Sequence, residues 1–351
     1  MRNQNRIKIF YMVMLLVCGG ILLMGCEKRK EEALLFTASE SEASEEERTL
    51  IYLTHSESAD SFTNQAAQEF KRALEEISAG SFDVEIYPED TLGSVKEADY
   101  MLEGNAVQMR IGSGPSKAIV LLGYPVLTGM EIPQLEEALQ GDALQNFLAE
   151  ECREYGVQII GMLPSMYRVL TSNQPVETAD DFRDFRMRIS DYILSETWWS
   201  GLGADTVKVP LSEVYVAMQQ NLFDGNPEGT LLSVISNGFY QQQKYIIDIR
   251  SQIYLEPVYI SSEFMESLDA EQQEQIQFAI AQMEENSREQ LEIEKKKAEE
   301  ILDRAGVEWI TLSEEVKQSM QETAGVEMEK CLREYAGDVL VDQLLNVLQK
   351  K

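Results

Sequence analysis

The residues of this chain whose types and spacing could do chemistry are few, and the most suggestive are arginines. In Arg186-Met187-Arg188-Ile189 the alternation of a β-strand puts Arg186 and Arg188 on one face and Met187 and Ile189 on the other. One face is cationic and one apolar. With 61 acidic and 30 basic residues in the chain, a guanidinium at the end of an apolar strand raises the question of which anion it meets. Its fork matches a carboxylate or phosphate through two parallel hydrogen bonds, which a lysine cannot copy. An internal salt bridge to one of the many acids is the plainer reading, and this stretch alone favours it.

The rest of the inventory argues against catalysis. There is one histidine, His55, and no cluster of histidine and cysteine, so a zinc site of those ligands is close to excluded. A Ser-His-Asp triad would have to use His55, and no Gly-x-Ser-x-Gly elbow is present. His55 could serve as a base or touch a ligand, but a lone histidine at a strand end is more often structural. Gly112-Ser113-Gly114 lacks the lysine and the glycine spacing of a phosphate loop. Trp198-Trp199 reads as core packing, with one ring able to line a cleft. Acid pairs are too abundant to mark a glycosidase. Neither an enzyme activity nor a metal nor a cofactor is indicated.

The elements that must position these residues begin with an address. Arg2, Arg6 and Lys8 precede an apolar run, Ile9 to Gly25, that ends in Leu22-Leu23-Met24-Gly25-Cys26. That is the layout of a secretory signal rather than of a full bilayer span, and its ending resembles a bacterial lipobox with Cys26 as the lipidated first residue of the mature chain. Residues 1–25 are therefore read as a lipoprotein signal peptide and 26–48, dominated by Glu, Ser, Lys and Ala, as a flexible tether. The mature chain has 27 basic and 61 acidic residues, a net charge of −34. That excludes nucleic acid as a partner and argues against adhesion to anionic lipid by charge, leaving the acyl group as the anchor on the outer face of the cell membrane. Cys152 and Cys331 remain; export permits a disulfide, and spacing does not say whether they meet.

From Leu50 onward the chain is long enough for two lobes. Strands over 50–54, 82–87 and 107–111 alternate with helices over 61–77 and 96–102, a β-α-β-α-β order that implies a parallel sheet with helices on its faces. Ligands of such sheets sit beyond the carboxyl ends of the strands, here near Thr54-His55-Ser56 and Gly112-Ser113-Gly114. A helix over 132–155 and a strand over 157–163 follow, and Tyr167 to Asn173 reads as a crossing into another lobe. That lobe has the Arg188 strand, a helix over 192–202, a strand over 206–209 and a helix over 212–221 with Ser212 as N-cap. Phe223-Asp224-Gly225 is a turn, and strands over 245–249 and 253–260 can return the chain to the first lobe. One helix from Ala270 to Ala305, at ~1.5 Å per residue, exceeds the width of a lobe and is expected to span both. A dimerising coiled coil ranks lower because Ser287 and the charges at 294–297 interrupt the apolar seam. A monomer is expected. A short strand over 307–310 and helices over 313–335 and 338–348 finish the chain.

A resemblance now adds to this reading. His55, Tyr87-Pro88 with Leu92-Gly93, Arg168 before Thr171-Ser172-Asn173, Phe185-Arg186-Met187-Arg188, Leu211 to Gln219, Asp224-Gly225, Phe239-Tyr240 and Lys244-Tyr245 stand in an order that resembles the solute-binding proteins of tripartite ATP-independent periplasmic (TRAP) transporters, the DctP family. The Ser-Glu-Val-Tyr-x-Ala-x-Gln block with Asp-Gly five residues later is the most specific part. The resemblance implies an α/β, two-lobed clamshell like other periplasmic binding proteins, with a long helix spanning both lobes. Residues 49–165 and 255–293 form lobe I, and 166–254 and 294–351 form lobe II. The clamshell would close on an organic acid and deliver it to small and large membrane subunits; the alternative is a ligand-sensing receptor of a signalling system.

The resemblance also implies site residues. Arg188 takes the place of the family arginine that pairs with the ligand carboxylate, and Arg168 that of a second carboxylate or hydroxyl contact. His55 and Ser113 stand on the lobe I side, with Arg110 an extra cation whose side chain faces the pocket or solvent. Tyr215 belongs to the helix behind the pocket, with Ser212. Leu211 stands where family members often have an aromatic wall. The family run Asp-Gly-Gln-Glu-Asn-Pro becomes Asp224-Gly225-Asn226-Pro227-Glu228-Gly229, and two registers are open. With one inserted residue, Gly229 replaces the ligand-contacting Asn and a polar contact is lost; without it, Glu228 replaces that Asn and a carboxylate faces the ligand. The first register is preferred. Arg183 and Arg186 keep their reading as surface or salt-bridging charges.

Overall fold

In the computed structural model, which describes residues 48–349, the first alternating segment is strand β1 (Thr49–Thr54), with Ile51 and Leu53 fully buried. Ser61 caps helix α1 (Phe62–Ile77) by accepting from the Asn64 N–H, and the helix buries Ala66, Phe70, Ala73 and Leu74 on one stripe. Strand β2 (Phe82–Tyr87), helix α2 (Val95–Glu103) and strand β3 (Met109–Ile111) follow. As the β-α-β order implies, β1 pairs in parallel with both β2 and β3. The third strand starts later than the alternation predicts, because Gln108 meets the Tyr52 N–H with its side-chain oxygen rather than a backbone carbonyl.

Helices α3 (Lys117–Leu122) and α4 (Pro125–Thr128) carry no sequence expectation. The single helix predicted over 132–155 is two, α5 (Ile132–Leu139) and α6 (Asp142–Arg153), because Gly141 takes an extended backbone and caps the second. Strand β4 (Val157–Met162) leads to β5 (Met166–Ser172), so Tyr167 to Asn173 is not only a crossing but the centre of a second sheet. Strand β6 (Arg186–Ile189), helix α7 (Ile193–Gly201) and strand β7 (Asp205–Lys208) match the predicted alternation. Ser212 is not an N-cap: Leu211–Glu213 form a 3-10 turn after Pro210, and helix α8 covers only Val214–Gln219.

Strand β8 (Gly225–Thr230) lies where the sequence shows only a turn. Gly, Asn and Pro are poor strand formers, and β8 survives as a buried strand because its pairing with β5 slips. Val169 faces Gly229 whereas Thr171 faces Asn226, so an extra residue of β8 is accommodated where Pro227 lacks an N–H to donate. Helix α9 (Leu231–Ser236) and strand β9 (Tyr245–Asp248) follow, and the predicted strand over 253–260 divides into β10 (Ile253–Tyr254), which pairs with β5, and β11 (Pro257–Ser261), which joins the first sheet. Then come helix α10 (Ser262–Ser267), the 36-residue helix α11 (Ala270–Ala305), strand β12 (Glu308–Thr311) and helices α12 (Glu314–Ala336) and α13 (Asp338–Gln349).

The result is an α/β fold of two lobes. One sheet runs β2-β1-β3-β11-β4 and the other β12-β9-β5-β8-β6-β7 with β10 beside β5. The first is mixed rather than parallel because β11, returning from the second lobe, enters antiparallel to β3 and β4. Backbone crosses between the sheets at 163–165 and 255–256, and the two crossings are tied by the Leu163 N–H donating to the Glu256 carbonyl at 3.0 Å. Helix α11 is the third link. It is capped at its start by Asp269 and Gln272 and stopped by Gly306 in the left-handed region, φ 71°. Ile276, Ala279, Ile280 and Met283 pack into the core of the first sheet, Leu291 and Ala298 against Phe62, Met166 and Leu232, and Leu302 into the core beneath β7 and β9. A helix of roughly 54 Å thus serves both lobes. Trp198 and Trp199 are buried in the largest core cluster, and Cys152 and Cys331 are both free thiols. Among the described residues no helix is long and apolar enough to cross a membrane; the signal and Cys26 lie outside the described residues.

Candidate functional site

Arg188 reaches its place because β6 runs parallel to both β7 and β8. Its side chain points past the end of β7, where Nε and Nη2 both donate to the Val209 carbonyl, at 2.9 and 2.6 Å. Nη1 donates to Glu228 at 2.7 Å and to the Asn226 side-chain oxygen at 3.4 Å. Arg188 is 2% exposed. Burial pushes its pKa down, and Glu228 pulls it back. Glu228 is equally engaged: its carboxylate also accepts from the Ser190 N–H at 3.0 Å, the Ser190 hydroxyl at 3.2 Å and the Ser195 hydroxyl at 2.7 Å. Both registers open in the sequence run along β8, whose pairing with β5 takes up one extra residue between Asn226 and Gly229. Glu228 stands beside Arg188, while Gly229 pairs through its backbone with Val169, and a Cβ there would crowd Ser233 and Val234 at 3.1 and 3.2 Å.

Arg186 shares the alternation but not the surroundings. At the exposed start of β6 its guanidinium grips Asp224, with Nε to Oδ2 at 3.1 Å and Nη2 to Oδ1 at 2.6 Å. Arg183 pairs with Asp180 at 3.0 Å. Strand alternation fixes the face, and depth in the sheet decides the role.

Arg168, on β5, is differently placed. Its guanidinium lies over the ring of Tyr254, 4.5 Å from the centroid, and its Nε has no hydrogen-bond partner among the described residues. Across from it, on the loop that leaves β1, is Glu57. The Tyr254 hydroxyl is 3.5 Å from one oxygen of Glu57, and the other oxygen is buried and has no partner among the described residues. Burial raises the Glu57 pKa, and Arg168 works against that rise. Glu256, at the crossing between the sheets, accepts from the Thr63 hydroxyl at 2.6 Å and is pushed up to about 8 by burial and then by Glu57, with Thr63 and Arg168 opposing. The Tyr124 and Tyr192 phenols, also within electrostatic reach of Arg168, are raised by burial. Arg168 therefore sits between the loops of one sheet and the strands of the other, with an aromatic face behind it and spare hydrogen-bonding atoms around it.

The remaining predicted residues scatter. His55 is 1% exposed; one ring nitrogen meets the Asn64 side-chain oxygen at 3.1 Å, Nδ1 has no partner among the described residues, and burial lowers its pKa, which favours a neutral ring. Ser113 is exposed beyond β3. Neighbouring Gly112, at φ 105°, approaches the Tyr254 hydroxyl, from which a Cβ would lie 3.7 Å. Arg110 does not face solvent: it is 1% exposed and bound to Asp99 and to the Val95 carbonyl. Leu211 and Tyr215 pack on the core that holds Val169, Val207 and Val209, and the Tyr215 hydroxyl is spent on Gln241 and Gln242 at 2.9 and 3.1 Å. Sequence reasoning missed Glu57, Tyr254, Glu256, Ser190 and Ser195. Only Glu57 carried a signal, an acid just past the carboxyl end of β1. Two surface cavities, of about 320 and 300 Å³, lie elsewhere, one beside Trp198 and Lys317 and one beside Trp309.

Two α/β lobes joined by two strand crossings and a shared helix, with a cation and an anion facing each other between the sheets, define a two-lobed solute receptor. The family model of bacterial extracellular solute-binding proteins, family 7, matches residues 53–334. The chain belongs to that family, DctP, the solute-binding proteins of TRAP transporters. It is a family of binding receptors, not enzymes. Among curated relatives, the C4-dicarboxylate-binding periplasmic protein DctP of Rhodobacter capsulatus is 26% identical over 250 residues, 67% of this chain and 72% of that one. An uncharacterized protein of Haemophilus influenzae is 27% identical over 57% of this chain, and the match spans only 62% of that relative's length. Solved structures agree on the fold. A TRAP solute-binding protein of Desulfovibrio salexigens with bound orotic acid superposes with a TM-score of 0.77 at 20% identity, covering 86% of this chain and 98% of that one. One of Haemophilus influenzae with bound L-gulonate gives 0.75 at 23% identity, covering 87% and 100%.

Proposed function

We propose that this protein is an extracytoplasmic receptor that binds an organic acid between its two lobes and delivers it to the small and large membrane subunits of a TRAP transporter. Arg168 carries the reading: a guanidinium against an aromatic face, between the lobes, with an N–H still to satisfy. A carboxylate is the partner such a group suits best, and closure of lobes 49–165 plus 255–293 on 166–254 plus 294–351 removes the water that would compete with it. Arg188 supports the pocket from behind through Glu228, and His55 beside Glu57 and Gly112 against the Tyr254 hydroxyl form its lobe I side. The orotic acid and L-gulonate in the two neighbouring structures, and the dicarboxylate in the name of the Rhodobacter relative, support an acid as ligand. Cys26 carries the lipid that keeps the receptor near its membrane partners.

Calorimetry of the purified protein against a panel of mono- and dicarboxylic acids tests this. At least one acid binds, and Arg168→Ala abolishes its binding without unfolding the protein; a panel in which none binds overturns the reading. Uptake by vesicles holding the two membrane subunits, with and without the receptor, tests delivery. Radiolabelled palmitate incorporated by the wild type and lost in Cys26→Ser tests the anchor.

A further inference from the structure

Resting on the receptor reading above, we propose that Glu228 is a resident carboxylate that fills the fork of Arg188 and so restricts the ligand to acids with one carboxylate, their far end neutral or cationic. Glu228 is held in place by four donor groups. Arg188 Nη1 and the Ser195 hydroxyl each donate at 2.7 Å, and the Ser190 N–H and hydroxyl donate at 3.0 and 3.2 Å. A ligand carboxylate that sought Arg188 would have to displace Glu228 from all of them and leave it buried without a cation, an outcome that costs more than the new pair returns. At Arg168 no such displacement is needed.

The surroundings of Arg168 point the same way. Glu57, on the loop that leaves β1, feels the charge of Arg168, and its buried Oε2 lacks a partner among the described residues. A second ligand carboxylate would meet Glu57 and Glu228 in a medium of low dielectric, with both arginines already engaged. A hydroxyl or ammonium group in the same position would donate to Glu57. The pocket supplies one open cation and one open acceptor, which is the complement of a hydroxy acid or a zwitterion.

Two probe pairs with matched carbon skeletons test this by calorimetry, 4-aminobutanoate against succinate and gluconate against glucarate. The wild type binds the monocarboxylate of a pair at least tenfold more tightly than its dicarboxylate. Glu228→Gln removes the resident charge, and its ratio shifts toward the dicarboxylate by about tenfold or more, the worth of one charged hydrogen bond. Glu228→Asn, shorter and also neutral, gives the same shift and stands in if the glutamine variant fails to fold. A wild type that prefers the dicarboxylate, or neutral variants with an unchanged ratio, overturns the assignment while leaving the receptor reading intact. Failure of every acid of both kinds to bind the wild type and the variants overturns the receptor reading, and this inference with it.

Discussion

Arg188 and Arg168 lie on strands of the same sheet and feel each other's charge, yet they are opposite kinds of site. Every guanidinium nitrogen of Arg188 has a protein partner, whereas Arg168 rests on Tyr254 with its Nε unpartnered among the described residues. The difference lies in spare hydrogen bonds: only an arginine whose fork is open can take a ligand anion without displacing a protein group. Where the protein supplies the anion itself, the arginine is part of the wall.

The sharpest way to break this contrast is to remove each arginine in turn. Arg188→Ala leaves Glu228 buried without its cation, so unfolding in urea should show a loss of about 3–5 kcal/mol. Arg168→Ala should change stability by no more than about 1 kcal/mol while removing acid binding. Equal losses of stability in the two variants would erase the distinction.

The acids around Arg168 give a second test, through pH. Glu256 has its folded pKa raised to about 8 from an ordinary 4.5, so the folded state binds a proton that the unfolded state releases over that window. The stability this brings is full below about 4.5 and lost as pH rises toward 8, a decline of about 1.4 kcal/mol per pH unit at most. Glu256→Gln, whose side-chain oxygen can still accept from Thr63, should flatten the decline in Tm between pH 5 and 8. An unchanged slope would mean that Glu256 is ionised in the folded protein.

Smaller effects sharpen the role of Arg168 itself. Arg168→Lys keeps the charge and loses the fork, and calorimetry should show acid affinity reduced about tenfold. Smallest is the long-range field: with 61 acids against 30 bases in the chain, added salt should raise the association rate of an anionic ligand a few-fold in stopped-flow measurements. A rate that falls with salt would indicate steering by a local positive potential strong enough to outweigh the acidic surface.

Much of the fold was legible because its signals are local. Helix α11 begins and ends where the sequence predicts, since Asp269 caps it and Gly306 stops it, and neither depends on distant contacts. The break at Gly141, the 3-10 turn at Leu211 and strand β8 were not legible. The first two breaks are set locally, by the extended backbone of Gly141 and by the turn after Pro210, whereas in β8 the slipped pairing with β5 makes a strand of residues that disfavour one. The site was less legible than the fold. Arg188 stood out by residue type and Arg168 through the resemblance, but Tyr254 and Glu256 looked like ordinary members of an apolar run, and Ser190 and Ser195 like loop and helix polar residues.

The sequence by itself determined most of the elements and the cationic face of the Arg188 strand, because periodicity, caps and residue chemistry are properties of short stretches; the two-lobed class and Arg168 came from the order of family motifs. Which arginine is open was decided only by the tertiary structure. Arg188 and Glu228 are 40 residues apart, and they meet because β6 lies between β7 and β8 in the sheet while the irregular pairing of β8 aims one carboxylate at the fork. Strand order and register arise from the packing of the whole lobe, so no local pattern could have told an arginine with spare donors from one already satisfied.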